Sequence, residues 1–444
     1  MTSVAKYLPE DSETVTAIYE HWRKKGESEQ RDMNTLGASA VGGPCERALW
    51  FSFRHCCRPS FPGRMHRLFD RGDMEEPRIV ADLQAIGCTV HEADESTGKQ
   101  FRVEALGGHL SGYMDGAILG VPEAPKTWHV LEAKTHKAKS WRKLQREGVK
   151  KAEPKHYAQC MIYMHLTGMK RALYVAVNKD TEELYTERVR YDAVEAEALI
   201  ERARRVIFAQ EPPPRISEKS DYFICRFCDA KDVCFGTTNP VLSVPSLSCR
   251  QCCHATPTMD GNAHWVCEKH KKGLSLNDQC RTLCEDHLVL PCILEPTVSP
   301  SDYGTDSEGY DYITFRDDVW GEWRHGRGAG AYNSGELRKL PLEILSNDML
   351  QAAKETFDGT VPTSPDTILG RYLDEDTRLV WTGRFNAAEI GEVWRAAYGE
   401  ALDDLEPIQI TDQPTYAVAE YEGERIMLVD KTTKQVTIRD KGVR

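Results

Sequence analysis

The chain has 444 residues, of which 40% are hydrophobic and 28% are charged, and its formal net charge is −12. This is the composition of a globular protein, and at roughly 150 residues per domain the length predicts two to four folded units. No apolar run approaches the ~18 residues of a membrane span, and residues 1–19 lack the basic and then apolar layout of a signal peptide. We therefore expect neither a membrane nor a secreted protein, but a cytoplasmic one.

The charge is distributed unevenly along the chain. Residues 297–444 contain 28 acidic and 16 basic residues and so carry the entire −12, whereas residues 1–296 contain 41 of each. Residues 134–155 hold nine Lys or Arg against two Glu, a local charge of +7. Because a polyanion binds to a local positive track, the acidic total does not exclude a nucleic acid as partner.

Hydrophobic periodicity up to residue 209 predicts helices interleaved with strands. The predicted helices cover residues 14–25, part of 34–54, 65–86, 155–166 and 192–209. The predicted strands cover residues 88–92, 108–118, 128–133, 172–178 and 184–190. This order is typical of an α/β fold with a mixed β-sheet flanked by helices.

The remainder of the chain has a different character. Residues 225–292 are dense in cysteine, and residues 296–309 are polar and predict a linker. Short strands are predicted at 312–315, 426–429 and 435–438, and a helix at 386–397. We expect three parts: an α/β domain over 1–240, a small metal-binding module over 241–296, and an acidic α+β accessory region over 297–444.

Two predicted strands end in polar side chains that suit a metal site. Asp115 ends one strand, and Glu132 and Lys134 end the next, where positions 132 and 134 point to the same side. A carboxylate from each strand can hold one hard divalent cation, which activates water for phosphodiester hydrolysis, while Lys134 stabilises charge on the phosphate. Glu76, on a predicted helix, is a third acid. The alternative is that Asp115 is a turn residue and that Glu132 and Lys134 form a solvated strand edge. Glu76 would then be an exposed acid on a helix.

Four short motifs carry a resemblance to a known family: Gly72-x3-Glu76, Gly112-x2-Asp115, Glu132-x-Lys134 and Gln159-x3-Tyr163. Residues 40–235 resemble a PD-(D/E)xK nuclease of the RecB-like and phage exonuclease type. The resemblance implies a restriction-endonuclease-like fold and Mg²⁺ or Mn²⁺ at the three acids. It also implies a catalytic Lys134, with the helical Gln159 and Tyr163 near the metal and the DNA. Many RecB-like members have His in place of Glu76, and Glu is similar to the lambda-type exonucleases.

The basic track follows directly after the predicted catalytic strand. Its side chains could neutralise DNA phosphates, and an aromatic residue inside it could stack on a base. The predicted DNA-binding residues are Lys137, Lys139, Trp141, Arg142, Lys143 and Arg146. The alternative is a solvated helix face.

A compact cysteine trio lies at the end of this nuclease-like segment, at Cys225, Cys228 and Cys234. It resembles part of the iron–sulphur staple of AddB-type and CRISPR adaptation nucleases, in which a fourth cysteine lies far upstream, and Cys45 occupies that place. The resemblance implies a structural [4Fe–4S] cluster. Zinc on the same ligands, or Cys45 as a core residue, are the alternatives. The thiols that lack metal spacing are predicted to be free: Cys56, Cys57, Cys88 and Cys160.

A second cysteine cluster predicts zinc. Cys249-x2-Cys252 is followed by further Cys and His residues after gaps of about 15 residues, which is a strong zinc signal. The preferred tetrahedral set is Cys249, Cys252, Cys267 and Cys284. The surplus residues leave a second zinc open: Cys253, His264, His270, Cys280, His287 and Cys292.

The leading hypothesis is a divalent-metal-dependent DNA nuclease, an exonuclease of phage-like recombination, replication or DNA degradation. Its partners would be DNA and phage or host recombination and replication proteins. One alternative is a non-catalytic DNA-binding or assembly protein with a vestigial site. The other is an RNA-directed nuclease, because a fold does not fix the sugar of its substrate.

Overall fold

The computed structural model of the chain has a mixed architecture of α-helices and several β-sheets. It describes residues 12–29, 34–282, 284–317, 321–328, 330–346, 354, 378–384, 387–400, 402–412, 416–422, 425–431 and 435–440. Two units are distinguished. The first comprises residues 1–53, 58–218 and 256–266, and the second residues 54–57, 219–255 and 267–444. The three-part division expected from the sequence stays a prediction.

The first unit contains the predicted alternation of helices and strands. Its helices are α1 (Glu13–Glu29), α2 (Ala38–Val41), α3 (Glu46–Phe53), α4 (Gly63–Ala85), α5 (Ala138–Ala152), α6 (Pro154–Thr167) and α7 (Ala193–Phe208). Its strands are β1 (Leu36–Gly37), β2 (Thr89–His91), β3 (Arg102–Ala105), β4 (Leu110–Tyr113), β5 (Gly116–Leu119), β6 (His129–His136), β7 (Arg171–Asn178) and β8 (Leu184–Arg190).

These strands form a mixed five-stranded sheet in the order β2-β5-β6-β7-β8 and a three-stranded sheet in the order β1-β4-β3. Strands β6 and β7 are parallel, and α5 and α6 make the crossover that a parallel pair requires. One face of the larger sheet packs on α4, where Ile79 and Val80 join Leu131, Leu173 and Val175 in the core. The mixed α/β architecture agrees with the fold class predicted for this part.

Two strand predictions are corrected by the structure. The single strand expected over 108–118 is two strands, β4 and β5, which belong to different sheets. The extended structure is interrupted at Met114 and Asp115, which belong to neither strand. There the Met114 N–H donates to the Phe101 carbonyl (3.0 Å), outside the pairing of either strand. Strand β6 also continues beyond residue 133, since its pairing with β7 extends to His136 and Asn178.

The second unit is built from many short elements. Its helices are α8 (Lys231–Phe235), α9 (Leu276–Cys280), α10 (Pro291–Leu294), α11 (Ser334–Leu337), α12 (Leu342–Leu345) and α13 (Ala387–Tyr398). Strands β9 (Ala255–Pro257) and β10 (Trp265–Cys267) lie at the boundary of the units in sequence. The later strands are β11 (Lys272–Gly273), β12 (Ser299–Thr305), β13 (Asp311–Asp317), β14 (Gly321–Gly326), β15 (Ala331–Tyr332), β16 (Arg378–Arg384), β17 (Gln409–Asp412), β18 (Tyr416–Tyr421), β19 (Arg425–Asp430) and β20 (Gln435–Asp440).

Two sheets dominate this unit, in the orders β12-β13-β14-β15 and β16-β20-β19-β18-β17. The prediction of a linker over 296–309 is wrong, because this segment contains β12, an edge strand paired with β13. Its side chains are mostly exposed, so the strand has no hydrophobic pattern that a sequence could reveal. Among the described residues, no helix is long and apolar enough to cross a membrane.

Candidate active site

The pairing of β5 with β6 brings the predicted acids together. Gly116 is opposite Leu131 in this antiparallel pair, so Asp115 is carried to the neighbourhood of Glu132. The Ala133 N–H donates to Oδ2 of Asp115 (2.8 Å), which fixes the carboxylate beside β6. Asp115 therefore lies just before β5, outside any strand, and Glu132 and Lys134 lie inside β6, whereas the sequence predicted all three at strand ends.

Lys134 contacts both of these acids. Its Nζ contacts Oε1 of Glu132 and lies 3.6 Å from Oδ2 of Asp115, and it donates to the Ala133 carbonyl (3.0 Å). Burial by itself lowers the pKa of Lys134, but the neighbouring Glu132 and Asp115 outweigh it, and the pKa is raised above its ordinary value. The ammonium group therefore stays charged at neutral pH.

Glu132 is fully buried, with 0% of its side chain exposed. Its Oε2 has no hydrogen-bond partner among the described residues. Burial raises the pKa of Glu132 to about 7; Lys134 opposes this shift, and Asp115 and Glu76 add to it. A buried carboxylate with an unused oxygen is costly unless a proton or a cation compensates it.

Glu76 completes the acidic set from helix α4. Burial raises the pKa of Glu76 to about 7, and the charge of Asp115 contributes to the shift. The preceding Glu75 instead pairs with Arg78 (3.3 Å). In the described structure the oxygens of Glu76, Asp115 and Glu132 are not all within 4.8 Å of one another. Their donor chemistry nevertheless fits a hard divalent cation, because all three supply oxygen and one oxygen of Glu132 is unused.

Gln159 and Tyr163 lie on α6 and are both buried. Gln159 donates to the Tyr163 hydroxyl (3.1 Å), which donates to the carbonyl of Tyr113 at the end of β4 (2.7 Å). A Cβ at Gly112 would lie 2.6 Å from the Tyr163 ring, so this approach requires glycine. These two side chains therefore position the segment that carries Asp115.

The basic track forms the exposed face of α5. Lys139 lies three and four residues before Arg142 and Lys143, and Arg146 lies four and three residues after them, so the four share one face of this helix. All four are exposed, as is Lys137 just before the helix. The prediction that Trp141 stacks on a base is corrected. Its side chain is only 4% exposed, and it lies on the buried face of α5 with Leu144.

A buried network beyond Lys134 on β6 was missed from the sequence. The Tyr174 hydroxyl lies 2.8 Å from Nε2 of His136 and 2.8 Å from Nδ1 of His156. Burial lowers the pKa of His156 to about 3, and the charge of Lys134 contributes. The alternation of β6, which puts residues 132, 134 and 136 on one side, was the available signal.

The cysteines predicted to form an iron–sulphur staple belong to different units. Cys45 is in the first unit, and Cys225, Cys228 and Cys234 are in the second. The staple therefore stays a prediction. None of the described cysteines forms a disulfide, and Cys56, Cys88 and Cys160 are buried.

The four cysteines of the preferred zinc set are all in the second unit, whereas the surplus His264 is in the first. Burial raises the pKa of the Cys249 thiol to about 11, and that of Cys252 to about 12. The charges of Cys267 and Cys284 contribute to the shift at Cys249, so these thiols interact through space. In the described structure, the group of ligand atoms close enough to share a metal consists of Cys284 with His270 and Asp286. Asp286 was missed, since it lacks Cys/His spacing.

The part of the chain that carries the candidate site is similar to a known family. Residues 58–235 match the family model of the PD-(D/E)XK nuclease superfamily, and this segment contains Glu76, Asp115, Glu132 and Lys134. None of the curated proteins matches the chain.

Similar solved structures share 14% sequence identity with the chain. The crystal structure of SSO0001 aligns with 50% of this chain and 96% of its own, at a TM-score of 0.31. LHK-Exo in complex with dAMP aligns with 42% of this chain and 90% of its own, at a TM-score of 0.29. The alkaline exonuclease LHK-Exo from Laribacter hongkongensis has the same coverage at a TM-score of 0.27.

Proposed function

We propose that the first unit is a divalent-metal-dependent DNA nuclease, acting as an exonuclease in phage-like DNA recombination, replication or degradation. The observation that carries the proposal is the fully buried Glu132, in contact with Lys134 and beside Asp115 and Glu76. The family-model match over residues 58–235 supports the same reaction class.

Glu76, Asp115 and Glu132 would hold Mg²⁺ or Mn²⁺. When bound, such an ion lowers the pKa of a water molecule and stabilises negative charge on the phosphate. The protein itself supplies the Lys134 ammonium group, whose charge opposes the charge that develops on the attacked phosphate. The Ala133 N–H holds Asp115 in place (2.8 Å), and Tyr163 holds the β4 segment before it.

DNA would contact the exposed face of α5. Lys137, Lys139, Arg142, Lys143 and Arg146 are exposed and close in sequence to the catalytic strand. Their charges suit the phosphate backbone and do not read a base sequence, as a nuclease of broad specificity requires. The [4Fe–4S] cluster and the zinc ion are accessory, structural parts of this proposal.

The proposal is tested by digesting labelled single-stranded DNA, duplex DNA and RNA with the full chain in Mg²⁺. We expect DNA cleavage that stops with EDTA and is abolished in Glu76→Gln and Glu132→Gln. Glu75→Gln is the matched control, because Glu75 neighbours Glu76 but pairs with Arg78 (3.3 Å), and it should cleave normally. DNA binding without cleavage would overturn the proposal in favour of a vestigial site, and cleavage of RNA alone would establish the RNA-directed alternative.

A further inference from the structure

Three different metal-binding side chains converge in the second unit, in a cluster that the proposed nuclease reaction does not use. The ligand atoms of His270, Cys284 and Asp286 all lie within 4.8 Å of one another. Nε2 of His270 is 3.5 Å from Sγ of Cys284 and 3.4 Å from Oδ2 of Asp286. We propose that these three side chains hold a Zn²⁺ ion.

The two distances match the edges of a tetrahedral zinc site. Zinc binds sulphur at about 2.3 Å, imidazole nitrogen at about 2.0–2.1 Å and carboxylate oxygen at about 2.0–2.2 Å. Tetrahedral angles with these bond lengths separate nitrogen from sulphur by about 3.6 Å, and nitrogen from oxygen by about 3.4 Å. The observed 3.5 Å and 3.4 Å agree with these two edges, and the sulphur and the carboxylate oxygen lie within 4.8 Å of each other.

Hydrogen bonding alone cannot satisfy all three ligand atoms of the cluster. Nε2 of an imidazole carries a single proton or a lone pair, so it serves at most one of its two acceptors, the sulphur or the carboxylate, with a well-directed hydrogen bond. A Zn²⁺ ion would accept electron pairs from all three atoms. One thiolate and one carboxylate would also balance its two positive charges.

A neighbouring arginine orients the carboxylate. Nη1 of Arg327 lies 3.3 Å from Oδ1 of Asp286, which leaves Oδ2 directed at His270. Such outer partners of ligating carboxylates are a regular feature of metal sites. The His270 side chain is 35% exposed, so an ion can reach the cluster from solvent. A water molecule would take the fourth position, because the sulphur of Cys267, which accepts the backbone N–H of His270 (3.5 Å), is not one of the atoms within 4.8 Å of one another.

This ligand set differs from the four cysteines predicted from sequence and shares only Cys284 with them. Cys252 is 5% exposed, and its sulphur is not among the ligand atoms that lie within 4.8 Å of one another. Because the two sets compete for Cys284, they make opposite predictions for the same experiment.

X-ray absorption at the zinc edge tests the proposal on the full-length, unmutated chain, whatever its nuclease activity. We expect a mixed shell with nitrogen and oxygen at about 2.0–2.2 Å and one sulphur at about 2.3 Å. A shell of four sulphurs would overturn the proposal, as would a purified chain that binds no zinc.

Zinc content measured by elemental analysis gives a second, independent test. His270→Ala and Asp286→Asn should each lose the ion or weaken its binding at least tenfold, whereas Cys249→Ser should keep it. His264→Ala is the matched control, because this histidine is 53% exposed and outside the cluster. Full zinc retention in the His270 and Asp286 variants, with loss in Cys249→Ser, would instead establish the four-cysteine set.

Discussion

At the scale of single residues, Lys134 is the side chain that contacts both strand-associated acids of the candidate active site. Its ammonium group contacts Glu132 and lies 3.6 Å from Asp115. We expect Lys134→Ala to lower DNA cleavage by roughly 10²–10³-fold, the usual cost of removing one preorganised stabilising group. Single-turnover digestion in Mg²⁺ measures this loss. Binding measured in Ca²⁺ should survive, and near-wild-type turnover would remove Lys134 from the catalytic set.

The raised pKa values of Glu76 and Glu132 make a prediction about stability and pH. Both lie near 7, mainly because of burial, whereas an unfolded Glu titrates near ~4.3. Between these values Glu76 and Glu132 bind more protons in the folded metal-free chain than in the unfolded chain. Their contribution to the free energy of unfolding therefore falls as pH rises from about 4.3 to about 7.

Thermal unfolding in EDTA measures this effect through the difference between wild type and Glu132→Gln. The wild type should lose stability relative to the variant as pH rises through that window. Added Mg²⁺ should raise the unfolding temperature of the wild type more at pH 8 than at pH 5.5. A difference in unfolding temperature that does not change with pH would contradict a buried carboxyl group with a raised pKa at Glu132.

At the scale of elements, helix α5 separates its basic and apolar residues on two faces. Arg142, Lys143 and Arg146 are exposed, whereas Trp141 and Leu144 are buried. Each phosphate contact that is removed should lower the slope of log K against log salt by about 0.9 for duplex DNA. We expect the triple alanine variant of the three basic residues to reduce this slope by an amount that corresponds to two to three phosphate contacts, about 1.8–2.7.

Binding isotherms at several salt concentrations measure the slope. Lys99→Ala removes an exposed charge elsewhere in the first unit and is the control. Trp141→Phe should leave affinity unchanged, because the indole is buried. A selective loss of affinity in Trp141→Phe, with an unchanged slope in the triple variant, would restore the stacking interpretation and exclude the helix face.

At the scale of the whole molecule, the cysteines are distributed over two units with different chemistry. We expect anaerobically purified full-length protein to contain iron and to be brown, because the trio at Cys225, Cys228 and Cys234 resembles an iron–sulphur motif. Cys228→Ser should lose the iron and the colour. Cys253→Ser, at an exposed cysteine outside the trio, is the control. A colourless preparation with zinc in place of iron would contradict the cluster.

The sequence by itself determined the α/β order of the first unit and the grouping of its acids. Both depend on local patterns: hydrophobic periodicity sets helices such as α7, and strand alternation puts Glu132 and Lys134 on one side of β6. The side chains of these two residues do meet, and Asp115 joins them from just before the neighbouring strand.

Only the tertiary structure decided the features that depend on contacts between distant segments. The placement of the Asp115 carboxylate beside β6 depends on the Ala133 N–H, and the burial of Trp141 follows from the packing of one helix face. Asp286 joins His270 and Cys284 through folding alone, because a carboxylate beside a cysteine has no distinctive spacing. The propensity of a segment for helix or strand depends on neighbouring residues in the sequence. Burial and metal geometry instead depend on segments that meet only in the folded chain.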